Sequence, residues 1–247
     1  MADQLLGQRR LAGKAVNRRD LYEKVTGAAV YAVDVAPPGV LHAKVVRSTR
    51  AHARLVAVDK SAALAVPGVL AVVTSDDLDG LFPRFGHIIP DHCILAIGKA
   101  RYYGEPVALV VAETLLAAAD GAELVDVTYD EIPAVMNVGQ ALADGAPLVH
   151  EQQYPSTGDE SFSAMAAAPD DADHGEPAKD NIAHEVSLEW GDIDAGATMS
   201  SIVVETKFHY PMLYAYAMEP YNAVASFENG RLEVTTTAQH PFMVRTD

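Results

Sequence analysis

Along the first half of the chain, apolar and polar positions alternate between strand-like and helix-like periods. Pro37-Pro38-Gly39 marks a turn that ends an N-terminal stretch, residues 1–36, read as an extended arm. Val40 to Arg47 (VLHAKVVR) and His52 to Val58 (HARLVAV) set β-branched and apolar residues among polar ones, which predicts two strands. Asp59 is placed to cap a short helix running through Ala65, and Pro67-Gly68 ends it. Val69 to Thr74 (VLAVVT) then reads as a buried strand. A second unit follows in the same order: a continuous apolar strand at Pro106 to Ala112, an Ala- and Leu-rich helix at Glu113 to Glu123, and a strand at Leu124 to Tyr129. Residues 37–75 and 104–131 are thus expected to be two strand–helix–strand units of one α+β domain.

The pattern changes after residue 151. Residues 152–181 are rich in Pro, Gly, Ser, Asp and Ala without a sustained apolar period, so an acidic linker is expected there. Beyond it, Ile202 to Tyr210 (IVVETKFHY) alternates as a strand. Asn222 to Phe227 and Leu232 to Thr237 flank Glu228-Asn229-Gly230-Arg231, a strong hairpin signal because Asn and Gly both tolerate positive φ. The chain then reaches Asp247 just after another apparent strand. A small sheet with an apolar face needs a covering layer, and no helical pattern remains to supply one. The expectation is that the first domain or another chain covers it.

Composition narrows the function classes. With 49% apolar residues the chain can build a core, and its net charge of −16 argues against a nucleic-acid partner. Residues 1–60 carry a net charge of +6 and the rest −22, which points either to contact with other subunits or to a solvated face. Cys93 is the only cysteine, so this chain can neither form an internal disulfide nor hold an iron–sulfur cluster by its own thiolates. A lone thiol fits a cytoplasmic location. Arg9-Arg10 is followed by no apolar run of signal length, and no stretch of about 18 apolar residues predicts a membrane span.

Motifs of independent chemistry are missing. There is no dinucleotide or phosphate loop, no nucleophile elbow and no HExxH. His87, Asp91, His92 and Cys93 (HIIPDHC) form the densest potential ligand group, but the spacing matches no standard zinc pattern and a surface loop is the better reading. Asp130-Glu131 are neighbours that would face opposite ways on a strand; a solvated turn before Ile132-Pro133 is expected rather than an acid/base pair. No catalytic residue and no metal ligand is assigned.

An ordered set of segments resembles the large, molybdenum-binding subunit of the xanthine dehydrogenase and aldehyde oxidase family. These are Gly27 to Asp34 (GAAVYAVD), Pro38 to Arg54 (PGVLHAKVVRSTRAHAR), Gly68 to Thr74 with Asp76-Asp77, Tyr103 to Glu113 (YGEPVALVVAE), Glu123 to Val135 (ELVDVTYDEIPAV) and residues 145–151 (GAPLVHE). Together they resemble the family's hammerhead-shaped α/β domain, with Gly104, Glu105 and Pro106 as its most specific structural motif. Gly191-Asp192 resembles the "GD" ahead of the family's cofactor-binding region. Pro211 to Asn222 (PMLYAYAMEPYN) and Thr237 to Arg245 (TAQHPFMVR) resemble that region's opening strands.

The resemblance implies an α+β fold. Residues 1–24 would form an N-terminal arm, 25–151 the hammerhead domain, 152–181 the linker, and 182–247 a partial, mainly β start of a molybdopterin-binding domain. Tyr214, Tyr216, Glu219 and Gln239 are the cofactor-binding or pocket candidates it supplies. Two departures weaken direct contact with the metal: Ala215 stands where the family carries a His four residues before the Glu of its Met-Glu-Pro segment, and Leu213 where xanthine dehydrogenases carry a Gln. The family's GGGFGGK-type loop and late catalytic Glu have no counterpart before Asp247.

The implied chemistry is hydroxylation of an aldehyde or N-heterocycle with water as oxygen source, inactive in this chain alone. A molybdenum-pyranopterin would be held mainly by residues elsewhere. The implied partners are the remaining molybdopterin-binding chain, an FAD subunit and a [2Fe-2S] iron–sulfur subunit. The other reading is a non-catalytic scaffold or binding module that retains the hammerhead fold.

Overall fold

The computed structural model describes residues 15–78, 84–86, 89, 91–153, 176–185, 187–188, 190–211 and 213–246. Their backbone forms two compact units: the described parts of Met1–Pro38 with Met212–Gln239, and of Gly39–Pro211 with His240–Asp247.

The larger unit holds the core. Its first half contains β1 (His42–Arg47), β2 (Ala53–Asp59), a one-turn helix (Ser61–Leu64) and β3 (Val69–Thr74). Asp59 Oδ1 accepts from the Ser61 backbone N at 2.8 Å and Oγ at 2.6 Å, but the N-cap position falls on Lys60, which makes no side-chain cap bond, so Asp59 steadies the entry to the helix without capping it. Three two-residue strands follow: β4 (Arg84–Phe85), β5 (His92–Cys93) and β6 (Lys99–Ala100). Then come β7 (Pro106–Ala112), a helix (Leu115–Glu123) and β8 (Asp126–Glu131). Thr114 caps that helix through Oγ1, which accepts from Ala117 N at 3.1 Å.

The two strand–helix–strand units are interleaved rather than side by side. β7 lies between β1 and β3, antiparallel to both, and β2 lies between β6 and β8. Each unit therefore completes its sheet with a strand of the other. This explains the continuous apolar run of β7, a central strand on which Val107, Ala108, Val110 and Ala112 are buried. Ala63, Val72, Ala108, Val110 and Val125 form the main core cluster. The Leu115–Glu123 helix buries Ala117, Ala118 and Gly121. A Cβ at Gly121 would sit 2.9 Å from Val69 Cγ2 and 3.0 Å from Val110 Cγ1, so the helix can approach the sheet this closely only with glycine there.

After β8 come a one-turn helix (Val138–Ala141) and β9 (Gln152–Gln153), which pairs with β10 (Glu176–Pro177). Most of the expected linker, residues 154–175, lies outside the described residues.

Several expected elements are corrected. The described part of residues 1–36 is not simply extended, because Leu21–Thr26 is a helix and Ala32–Asp34 a 3-10 turn. Asp130 and Glu131 end β8 rather than sit in a turn; they are exposed, and pair with Arg54 at 3.4 Å and Arg50 at 2.7 Å. Ile202–Tyr210 forms no strand, because its backbone has no partner strand among the described residues, and alternation alone makes no ladder. The chain beyond Gln239 turns into a helix, Pro241–Thr246, instead of a strand: Pro241 supplies a φ suited to a first helical position. A second helix, Ile193–Met199, had also gone unforeseen. The hairpin is present as β11 (Ala223–Glu228) and β12 (Arg231–Thr236), with positive φ at Asn229 and Gly230.

Candidate functional site

In the larger unit, the Gly104-Glu105-Pro106 motif splices the end of β1 to the start of β7. Gly104 N donates to Ser48 O and Ser48 N to Glu105 O, both at 2.8 Å. Arg47 Nη1 donates to Gly104 O at 2.9 Å. Gly104 holds φ +91°, a conformation that side-chain-bearing residues rarely adopt. The Glu105 carboxylate is buried and accepts from the Arg101 backbone N and from Arg101 Nη1. The two side chains are 4% and 11% exposed, so this ion pair works in a low-dielectric setting. These interactions anchor the chain at the entry to β7. Gly191 takes φ +76°, and Asp192 caps the Ile193–Met199 helix through Oδ1, which accepts from Ala195 N at 2.8 Å.

In the smaller unit, Tyr214 and Tyr216 meet edge to face at 4.8 Å, and Tyr214 approaches Tyr221 at 6.4 Å. All three are exposed, Tyr216 at 81% and with φ +44°. Glu219 has a backbone partner: its Oε1 accepts from Ala32 N at 3.3 Å, while Asn222 Nδ2 donates to Ala32 O at 2.8 Å. The pair clamps the 3-10 turn against the start of the hairpin, on buried Ala32. Gln239 is exposed. Tyr214, Tyr216 and Gln239 are thus exposed, and Glu219 is engaged with the Ala32 backbone. No group of three or more His, Cys, Asp or Glu among the described residues is arranged to hold a metal ion. As they stand, these residues do not fit as the container of a molybdenum-pyranopterin, and no chemical step follows from them.

The histidine-rich segment is only partly described: His87 lies outside the described residues, as do its neighbours 88 and 90. His92 stacks on Phe85 at 5.5 Å, and Asp91 lies 3.7 Å from His92 and 3.8 Å from His150. Cys93 is buried and accepts from Arg84 Nη1 at 3.4 Å.

Sequence reasoning singled out neither His150 nor Asn181. Asn181 Oδ1 accepts from Val149 N at 2.9 Å, and its Nδ2 donates to Ala141 O and Pro147 O at 3.2 and 3.1 Å. Lys99 is almost fully buried and binds Glu151 Oε1 at 2.6 Å and Leu148 O at 3.2 Å. The available signal was a buried-type lysine between apolar segments, which needs an acidic partner. Burial, followed by the charge of Arg101, holds the His150 imidazole below its ordinary pKa.

Comparisons with known proteins agree with this geometry. Residues 26–133 match the family described as "Aldehyde oxidase and xanthine dehydrogenase, a/b hammerhead domain", and residues 174–247 match "Molybdopterin cofactor-binding domain". The nicotinate dehydrogenase large molybdopterin subunit of Eubacterium barkeri is 32% identical over 231 residues, covering 93% of this chain and 48% of that protein. The carbon monoxide dehydrogenase large chain of Hydrogenophaga pseudoflava is 32% identical, covering 90% of this chain and 27% of its own length. The solved Cu,Mo-CO dehydrogenase in its carbon monoxide reduced state superposes with a TM-score of 0.75 at 29% identity, over 95% of this chain and 28% of that one. The chain thus spans about half of the first of these curated relatives and about a quarter of the second.

Proposed function

We propose that this chain, which belongs to the molybdenum hydroxylase family of xanthine dehydrogenases and aldehyde oxidases, works as one part of an oxidoreductase complex. The reaction is oxidation of an aldehyde or N-heterocycle with water as oxygen source. The cofactor is a molybdenum-pyranopterin, which supplies Lewis acidity and redox capacity when bound. In this reading the cofactor is held mainly by residues outside this chain, and FAD and [2Fe-2S] centres sit in companion subunits in the cytoplasm. Among the described residues no helix is long and apolar enough to cross a membrane.

The observation that carries the proposal is the contrast between a hammerhead region with its own core and a cofactor-domain segment none of whose described residues is buried. Of the described residues in 176–246, none is buried, and Trp190, Ile202, Val204, Phe208, Tyr210 and Tyr216 are among the exposed large side chains. Apolar surface of that extent calls for a covering partner. The proposed boundaries are the hammerhead domain at 25–151, a linker at 152–181 and the start of the cofactor domain at 182–247. The role of this chain's residues is to fold the hammerhead scaffold and present the bare segment to the rest of the cofactor domain.

The test is metal analysis and a dye-reduction assay on the chain alone and on the chain co-expressed with its companions. Alone, it should contain no molybdenum, flavin or iron and oxidise neither aldehydes nor purines. With companions, it should copurify stoichiometrically with molybdenum and reduce the dye. The open Tyr214–Glu219 segment favours a second reading, a scaffold that has lost the chemistry, and a well-folded monomer that ignores those companions would support it.

A further inference from the structure

We propose that the larger unit binds a small protonated amine with an apolar body, the body against Val149, Ala178 and Ile182 and the ammonium group at Asp91. This inference does not depend on the reading above, because it rests on residues that reading leaves without a role.

The cavity has a volume of about 270 Å³, and Ile89, Ala141, Val149, Ala178 and Ile182 supply its apolar wall. Pockets for drug-sized ligands run roughly 300–1,000 Å³, so this volume suits a single ring or short chain with one polar end. The walls are built in advance. Asn181 ties residues 141, 147 and 149 together with three hydrogen bonds. Ala178 N donates to Glu151 O at 2.9 Å, and Gln153 Nε2 to Ile182 O at 3.1 Å. A preformed site avoids the ordering cost that weakens binding to loose loops.

The polar lining calls for a cation. Among the described residues no lysine or arginine lines the cavity, whereas Asp91 and Asp180 both do. The Asp180 carboxylate is partly used, since Oδ1 accepts from Ile182 N at 2.9 Å. The Asp91 side chain is only 25% exposed, and its approaches to His92 at 3.7 Å and His150 at 3.8 Å are both too long for a hydrogen bond. Burial, then the charge of Arg101, holds His150 below its ordinary pKa against the pull of Asp91. At neutral pH the imidazole is therefore uncharged and leaves the Asp91 charge unanswered. A mostly buried carboxylate in that state is stabilised by a donor that carries positive charge.

The arginines line a different space. His150 also borders a separate recess with Arg84, Arg101, Glu151 and Gln152. Arg101 pairs with Glu105, and Lys99 binds Glu151 at 2.6 Å. Across cavity and recess, the three cations Arg84, Arg101 and Lys99 stand against the four carboxylates Glu105, Glu151, Asp91 and Asp180. The balance is negative even with every cation at full charge, so it admits a monocation and opposes an anion.

The test is calorimetric titration of the full chain at neutral pH with benzylamine, with benzyl alcohol and ammonium chloride as comparison ligands. Benzylamine should saturate one site, and benzyl alcohol should bind about tenfold more weakly or worse, having lost the charge-assisted contact. The net charge of −16 draws any cation to the surface, and ammonium chloride measures that background. It should bind more weakly than benzylamine because it leaves the apolar wall uncovered. Asp91→Asn should lower benzylamine affinity by about tenfold, and Ala178→Phe should remove binding by filling the cavity. The comparison of the three ligands uses the unaltered chain, so it decides the matter even if a variant folds poorly. Benzylamine binding no tighter than benzyl alcohol or ammonium, or without saturation at one site, overturns the proposal. So does undiminished benzylamine binding by a folded form of either variant.

Discussion

Residues 42–131 and residues 202–236 both carry strand-like sequence, yet only the first region buries it. In the first, β7 is flanked on both sides, and the Leu115–Glu123 helix covers the sheet, so Ala53, Val107, Ala108, Val110 and Ala118 are buried. In the second, β11 and β12 pair only with each other, and Phe227, Leu232 and Val234 are exposed. A hairpin satisfies its own backbone but cannot bury either face; an isolated one is marginal in water. The difference lies in the covering layer, not in the strands. Apolar alternation specifies a local shape in both regions and a core in only one.

The largest expected effect on that comparison comes from the buried ion pair. Glu105→Ala leaves the Arg101 guanidinium without its carboxylate in a site 11% exposed, which should cost about 3–5 kcal/mol in denaturant unfolding of the larger unit. A loss below about 1 kcal/mol would show that water reaches Arg101. Next is Gly104→Val. A β-branched residue at φ +91° should cost about 1–3 kcal/mol and lower soluble yield, although nothing lies within 4 Å of the added Cβ. Wild-type stability would mean that the backbone relaxes there.

A smaller effect concerns acid. Lys60, then the backbone and hydroxyl of Thr74, pull the Asp77 carboxyl down to about 2 from 3.8. Its folded pKa is depressed, so its contribution is full above 3.8 and is lost as pH falls towards 2. Asp77→Asn should flatten the fall in the unfolding midpoint across that window, and an unchanged slope would contradict the assignment. The smallest effect is expected in the bare region. Phe227→Ser should change the stability of the isolated chain by no more than about 0.5 kcal/mol, because Phe227 is 72% exposed. A loss of 2 kcal/mol would place Phe227 in a core.

Much of the hammerhead region was legible because its signals are local. The runs at Val69–Thr74 and Pro106–Ala112, Asp59 before a helix, and Asn229-Gly230 between alternating segments each specify an element through short-range physics. The interleaving of β7 between β1 and β3 was not legible, since the pairing of β1 with β7 sets His42 against Ala112, far apart in sequence, and leaves no trace in periodicity. Ile202–Tyr210 failed as a strand for the complementary reason: the alternation is present but the partner strand is not. Glu219 was singled out by resemblance to a cofactor-binding segment, and its contact with Ala32, 187 residues away in sequence, is a pairing no motif could announce.

Hydrogen exchange on the hairpin, read in the chain alone and again in the assembled complex, tests most directly whether the cofactor-domain segment is a surface awaiting its cover. The amides of β11 and β12 should exchange in the isolated chain far faster than those of β7, and should become protected when the companion chains bind. Hairpin protection equal to that of β7 in the chain alone, or no gain in protection in the complex, would contradict the account.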